Sequence, residues 1–389
     1  MMHKKILFCA TVDYHFKAFH LPYMEWFKKQ GWEVHVAARG DMNLPFVDKK
    51  YNLPIARSPF DQNNLEAFKS LKSIIKENKY KIVHCHTPVG GVLARLASRD
   101  ARSRGTKVIY TAHGFHFCKG GSFTSWMIYY PIEKWLAGMT DCLLTINEED
   151  FNLAITHRFK AGQINHIHGV GVDMERFVPV SQEKKLKLRE ALGFRSDDFI
   201  MFYAAEFNKN KNQSQLIKAL ASIKKNAPKA RLVLAGEGKL FEECRELSVT
   251  LKLEKMVHFL GYRKDIEQLL KAADIAVASS SREGLPVNIM ESMACGLPII
   301  ASQNRGHSEL VEDKKNGFII PRGDHELFGK RIKELYDSKQ LRKWMGTESR
   351  KKVVPYSLAN VGVELGEIYS AFMMEDSNEA ESEYYRSSL

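Results

Sequence analysis

Short apolar runs alternate with longer amphipathic stretches over most of the chain, and the alternation occurs as two successive series. Runs at 6–10, 33–37, 81–85, 107–111 and 141–146 read as strands buried on both faces. Between them, 18–30, 65–78, 90–104 and 123–137 read as helices. A second set of strands reads at 198–205, 231–235, 256–260, 274–278 and 298–301, again with helices between. Strand–helix–strand order with doubly buried strands demands parallel sheets, because parallel neighbours need a crossover and the crossover helices cover both faces. The expected fold is therefore α/β: two Rossmann-like, doubly wound parallel-sheet domains facing a cleft. Ligands of such sheets bind beyond the carboxyl ends of the strands.

The expected boundaries are an N-terminal domain over 1–172, a C-terminal domain over 173–356, and a helix over 357–375 that crosses back to the first domain. Gly169 and Gly171 at the junction suit a hinge or a tight turn. Residues 376–389 are polar and aperiodic and read as a frayed tail.

With 389 residues, 44% hydrophobic and 27% charged, the chain has enough apolar sequence for two cores. Its net charge of +12 is uneven: residues 1–172 carry 23 Lys and Arg against 14 Asp and Glu, and the remainder 35 against 32. A basic N-terminal half suits either a solvated surface or an anionic partner such as a membrane. Six scattered cysteines show no zinc spacing and imply a reducing compartment without disulfides. The apolar run that begins at Ile6 stops before Asp13, which is a first strand rather than a signal peptide, and no run is long enough for a membrane span. The expected location is cytoplasmic, with peripheral contact at the inner face of the membrane.

Four constellations sit at strand ends or on helices where chemistry is expected. The first is Ser281-Arg-Glu-Gly-Leu-Pro-Val-Asn-Ile-Met-Glu291, between the strand 274–278 and a helix start. With Gly284 and Pro286 at its first turn, the helix start offers free backbone amides that suit a phosphate, and Glu283 and Glu291 can accept hydrogen bonds from hydroxyls, which together suggest a nucleotide-sugar. The second is Glu206-Phe-Asn-Lys-Asn-Lys-Asn212, where Lys209 and Lys211 are placed to neutralise a diphosphate and Asn212 to cap the next helix. A solvated, lysine-rich turn explains the same residues. The third is His113 in Thr111-Ala-His-Gly114, with His86 a weaker candidate and His84 read as structural. A core or surface histidine is the plain alternative in a chain with 14. Gly236 and Gly238 allow close approach of a base or phosphate, and backbone groups near Tyr262 and Arg263 can read a base edge. The fourth is the helix 123–135, rich in aromatics and near Arg95, Arg99, Arg102 and Arg104. It reads either as a buried helix or as a membrane-interface surface. No Asp-x-Asp, Walker A or Gly-x-Ser-x-Gly motif occurs, and nucleic-acid modules are absent.

Taken together, Glu283, Glu291, Lys211, His113 and Gly169-Val-Gly-Val-Asp173 resemble the family-four glycosyltransferases of GT-B fold, over nearly the whole chain. The runs 6–20 and 84–91 are most similar to the EpsD-type transferases of bacterial exopolysaccharide clusters. The resemblance implies retaining, metal-independent transfer from a nucleoside-diphosphate sugar, most simply a UDP-sugar, to a lipid-linked glycan of exopolysaccharide or capsule, with no cofactor and no nucleic acid. It implies that Glu283 contacts the donor sugar, Glu291 the ribose and Lys211 the diphosphate, that backbone amides around Gly284 and Leu285 bind the phosphates, and that His113 sits over the reacting centre. Two departures stand out. Ala205-Glu206 replaces a Gly-Arg frequent in the family, leaving Lys209 as the second cation on the diphosphate. Thr11-Val-Asp-Tyr-His15 replaces a Gly-Gly loop, which makes Asp13, His15 and His86 the acceptor-side candidates. A UDP-sugar 2-epimerase and a non-catalytic nucleotide-sugar-binding assembly partner are the alternatives.

Overall fold

In the computed structural model, which describes residues 3–387 and the side chains of 4–374, strands and helices alternate in two units. One unit comprises the chain up to Gly171 together with the segment from Ala359, and the other is Val172–Leu358.

The first unit holds β1 (His3–Val12), β2 (Glu33–Arg39), β3 (Lys49–Asn52), β4 (Tyr80–His86), β5 (Lys107–Ala112), β6 (Cys142–Thr145) and β7 (Gln163–His166). They form one all-parallel sheet in the order β3-β2-β1-β4-β5-β6-β7. The second unit holds β8 (Phe199–Ala204), β9 (Ala230–Ala235), β10 (Val257–Phe259), β11 (Ile275–Ala278), β12 (Ile299–Ser302) and β13 (Gly317–Ile320). Their order is β10-β9-β8-β11-β12-β13, also parallel. Both orders run outward from a first strand, then reverse. The reversal lies between β1 and β4 in one sheet and between β8 and β11 in the other. At such a switch point the flanking loops diverge to opposite faces and leave a crevice at the strand ends.

The strands expected from apolar runs are all present. Those that the reading missed, β3, β7 and β13, are edge strands. β3 is Lys-Lys-Tyr-Asn and β7 is Gln-Ile-Asn-His, neither wholly buried, so neither carries the apolar run that marks a central strand. The helix expected over 18–30 is two helices, Tyr14–Phe19 and Leu21–Lys29, joined at His20. Pro22 lacks an amide hydrogen and belongs at a helix start, which ends the first helix before it. The helix expected over 90–104 is likewise split at Ser98, into Pro88–Ala97 and Arg99–Arg102.

The last helix, Leu358–Ser387, runs past the expected end at 375, through sequence that includes the strong helix formers Glu379, Glu381 and Glu383. It therefore replaces most of the expected tail; residues 388 and 389 lie outside the described residues. The helix docks on the first unit through Tyr369, which is buried, packs on Phe27 at 4.7 Å between ring centres, and shares a 2.7 Å hydrogen bond with His84 Nδ1. Glu364 accepts from the His168 amide at 3.0 Å. Gly169 and Gly171 both have positive φ, a region costly for other residues, so the turn ahead of the second unit depends on them.

Candidate active site

The second unit builds its site where β8 and β11 end. The loop after β8 and the loop after β11 are laced together. Asn210 donates to Arg282 O at 3.0 Å and accepts from Arg282 N at 3.1 Å, and Ser281 N donates to Asn210 O at 2.7 Å. Ser279 Oγ donates to Lys211 O at 2.7 Å, while Ser280 shares a 2.8 Å hydrogen bond with Tyr203. This lacing holds Lys211 against Glu283, with Nζ donating to Oε1 at 2.5 Å. The pair is only partly exposed, at 23% and 15% of the side chains, so it is screened less than a surface pair.

Beside the pair the helix Val287–Ala294 begins. No described side chain caps its N-terminus, and no acid lies in its first turn. Its amides and positive dipole end are thus available to an anion. Gly284 lies in the turn before it, and Leu285 is buried beneath. Gly306 lets the two backbones meet here: a Cβ on it would lie 2.6 Å from Gly284 O. One turn into the helix is Glu291, half-buried. Burial raises its carboxyl to about 7; the charge of Arg176 opposes the rise and that of Glu267 adds to it. Arg176 itself donates to Glu267 at 2.7 Å. Glu291 is therefore poised between acid and carboxylate at neutral pH.

Other expected donor residues fare differently. Lys209 is exposed and Glu206 with it. Asn212 precedes the helix Gln213–Ile223 but does not cap it: its φ is +50°, and its amide donates to Gln215 Oε1 at 3.1 Å. Gly236 serves the protein's own packing, since a Cβ there would lie 2.1 Å from Ala205 O. Gly238 does the same against Phe207. Tyr262 is exposed, whereas Arg263 is clamped by Asp265 at 2.8 and 2.5 Å. The sequence reading missed Asn210, Ser279 and Ser280, which carry no charge and reveal their part only through the lacing. A separate cavity of about 880 Å³ opens at the opposite, amino ends of the strands, beside Asp198, Asp274 and Pro298. There Lys185 and Arg189 are already paired with Asp274, so it is no part of the strand-end site.

The first unit gathers histidines at its own switch point. His86 ends β4, His113 follows β5, and His15 and His20 lie on and just after the helix that follows β1. His86 Nδ1 and His113 Nε2 are 3.3 Å apart, and His15 Nε2 and His20 Nε2 are 3.1 Å apart. One nitrogen from each of the four lies within 4.8 Å of the others. Behind them His84 bonds Tyr369 on one nitrogen and Thr111 Oγ1, at 2.8 Å, on the other, which supports the structural role expected for it. Burial pushes His113 down to about 4, and burial with the nearby His113 pushes His84 down to about 3. Burial likewise lowers His15, His20 and His86, so the cluster is neutral at pH 7.

Two of the acceptor-side expectations are corrected. Asp13 is buried and committed: its Oδ2 accepts from Lys50 Nζ at 2.5 Å and from Met42 N at 2.8 Å. Burial alone would raise this carboxyl, but those two partners outweigh it and lower it. His86 is fully buried, so no acceptor reaches it directly. His15 and His113 are half-buried. His20 was missed because the reading placed it inside a continuous helix.

The helix Phe123–Ala137 has a face packed on the core and a face exposed to solvent. Trp126, Tyr129 and Tyr130 pack partly buried against the core. Phe123, Met127, Ile128, Ile132 and Trp135 are exposed, at 76%, 58%, 47%, 41% and 58%. Arg95 does not belong to a surface patch: it is buried over the Tyr110 ring at 3.8 Å and bonds Glu133 at 2.8 Å. Arg102 is tied to Asp141 by two 2.9 Å hydrogen bonds, while Arg99 and Arg104 remain exposed. No helix among the described residues is long and apolar enough to cross a membrane.

Comparison with known proteins places these features in a family. A model described as "Glycosyl transferase 4-like" matches residues 5–147, and one described as "Glycosyl transferases group 1" matches 184–352. The glycosyltransferase EpsD of Bacillus subtilis (strain 168) is 54% identical over 97% of this chain and 99% of its own length. An Escherichia coli UDP-Gal:alpha-D-GlcNAc-diphosphoundecaprenol alpha-1,3-galactosyltransferase is 31% identical, covering 75% of this chain and 76% of its own. In fold, the chain is similar to Anabaena HepE crystallised with UDP-glucose, with a TM-score of 0.77 at 21% identity over 94% of this chain and 99% of that one. The chain belongs to the family-four glycosyltransferases of GT-B architecture and is closely related to the EpsD-type exopolysaccharide enzymes.

Proposed function

We propose that this glycosyltransferase moves a sugar from a UDP-sugar, with retention of configuration and without a metal in the chemical step, to a lipid-linked glycan during exopolysaccharide or capsule synthesis. The observation that carries the reading is the Lys211–Glu283 pair beside the uncapped helix Val287–Ala294. A diphosphate competes with Glu283 for Lys211 and takes the backbone amides at Gly284 and Leu285, in the turn just before the helix. Glu283, released, accepts from a hydroxyl of the donor sugar, and Glu291 accepts from the ribose. As the bond between the anomeric carbon and the diphosphate oxygen breaks, negative charge grows on the leaving phosphate, where Lys211 and the helix dipole stabilise it. The acceptor hydroxyl forms its bond to the same carbon from the face the phosphate leaves, and its proton passes to that phosphate. His113, a neutral imidazole, hydrogen-bonds the sugar in transfer. Lys209 supplies long-range positive charge.

The UDP-sugar and diphospholipid acceptor named for the E. coli relative support the substrate class. The exposed apolar face of Phe123–Ala137, flanked by exposed Lys119 and Lys134, supports work at an anionic bilayer on the inner side of the cell membrane. The test supplies membranes of a producing cell as acceptor, with individual UDP-sugars in parallel. Transfer by the native chain and its loss in Lys211→Ala and Glu283→Ala are expected. Epimer formation without acceptor, or equal transfer by both variants, would overturn the reading.

A further inference from the structure

We propose that His15, His20, His86 and His113 form a binding site for a borderline transition-metal dication of the Zn2+ class. The sequence reading expected no metal, because no Cys/His spacing along the chain suggests one. The site arises instead from topology. β1, β4 and β5 are neighbours in the sheet, and each delivers histidine at or beyond its carboxyl end.

The geometry is close to what such an ion needs. In a tetrahedral zinc site with bonds near 2.0–2.1 Å, ligand nitrogens lie about 3.3–3.4 Å apart. The His86–His113 pair is at 3.3 Å and the His15–His20 pair at 3.1 Å. The remaining separations lie within 4.8 Å, and binding an ion would draw the four nitrogens closer.

The cluster is also incompletely satisfied as it stands. His20 Nδ1 and His86 Nε2 are buried and make no hydrogen bond among the described residues. They are the ring nitrogens opposite those of the two close pairs, so they would carry the imidazole protons while His20 Nε2 and His86 Nδ1 hold the ion. His84 is excluded, since Tyr369 and Thr111 occupy both of its nitrogens.

The surroundings select the ion. Phe8 stacks on His86, and Phe16 packs edge-on to His15 and His20, giving a dry shell that strengthens metal–imidazole bonds. With imidazole ligands and no oxygen donor, Mg2+ and Ca2+ are disfavoured while Zn2+, Ni2+ and Cu2+ are favoured. Bound there, the ion would pin the helix Tyr14–Phe19 to the carboxyl ends of the central strands. This inference does not depend on the sugar or the acceptor.

The test titrates Zn2+ into chelator-washed protein against a chromophoric competitor, with Co2+ absorption as a second probe of geometry. One ion per chain with a dissociation constant on the order of micromolar or tighter is expected, with tetrahedral Co2+ bands. His86→Gln should weaken binding at least about tenfold, as should the double variant His15→Gln/His113→Gln, whose half-buried positions keep the fold testable. His325→Gln, in the second unit, should bind as the native chain does. Absence of a stoichiometric site, or equal affinity in all of these variants, would overturn the proposal.

Discussion

The two sheets share a strand order, yet their switch points carry opposite chemistries. Between β8 and β11 lie a cation, two carboxylates and a helix start with free amides, laced by Asn210, Ser279 and Ser280. Between β1 and β4 lie neutral imidazoles packed among phenylalanines, and Asp13, in the loop after β1, is already taken by Lys50. Topology fixes where a ligand binds in each sheet, and the loop residues decide what kind. The charged crevice suits a diphosphate; the histidine crevice suits a hydroxyl or a metal.

The sharpest way to break this contrast is to remove the cation. Lys211→Ala should lower kcat/KM for transfer by about 10²–10³, the usual cost of losing one group that stabilises transition-state charge. It should also abolish the rise in melting temperature given by UDP. Glu283→Ala should lose comparable activity but retain part of that rise, since Glu283 is assigned to the sugar rather than the phosphates. If both variants keep native activity, the charged crevice is not the donor site.

The converse experiment is in the first unit. His113→Ala should cost about 10²-fold in transfer, in the range for a positioned hydrogen-bonding or acid–base group, and leave the UDP-induced shift intact. Loss of UDP binding in that variant would erase the division of labour between the two crevices.

How much of this was legible in sequence follows from burial. Central strands such as β4, buried at every position, announce themselves as apolar runs. β3 and β7, at the sheet edges, do not. Lys211 and Glu283 were readable as candidates because they lie just beyond strands, and charge at a strand end has few structural uses. The histidine cluster was half legible. His113 was marked by its strand, but His20 joins the group only because Pro22 breaks the helix, and Arg95 and Asp13 looked available until their partners Glu133 and Lys50 were seen. Partners from distant sequence are what local patterns leave out.

A subtler contrast is in proton uptake. Glu291 keeps its proton to about pH 7 when folded, above its ordinary 4.5. The unfolded chain releases that proton first, so stability falls as pH rises from about 4.5 to 7, by at most about 3 kcal/mol. Glu291→Gln should flatten that slope. Ribose hydroxyls donating to the carboxylate would lower its pKa, so UDP binding near pH 7 should release protons and tighten as pH rises towards 7. Calorimetry in buffers of different ionisation enthalpy reads the release directly; no proton exchange would remove Glu291 from the ribose contact.

The smallest expected effect isolates the last helix. Tyr369→Phe removes only the hydroxyl that meets His84, leaving the ring on Phe27 and one buried imidazole nitrogen without its partner. An unsatisfied buried polar atom costs about 1–3 kcal/mol, so urea unfolding of the first unit should shift by that amount. The second unit's crevice contains no atom of this pair, so the UDP-induced shift should be unchanged. His84→Asn with Tyr369→Phe should couple rather than add, because the second change removes a partner already lost. Additive costs would mean that the helix is held by ring packing alone, and that His84 stands behind the histidine crevice without bracing it.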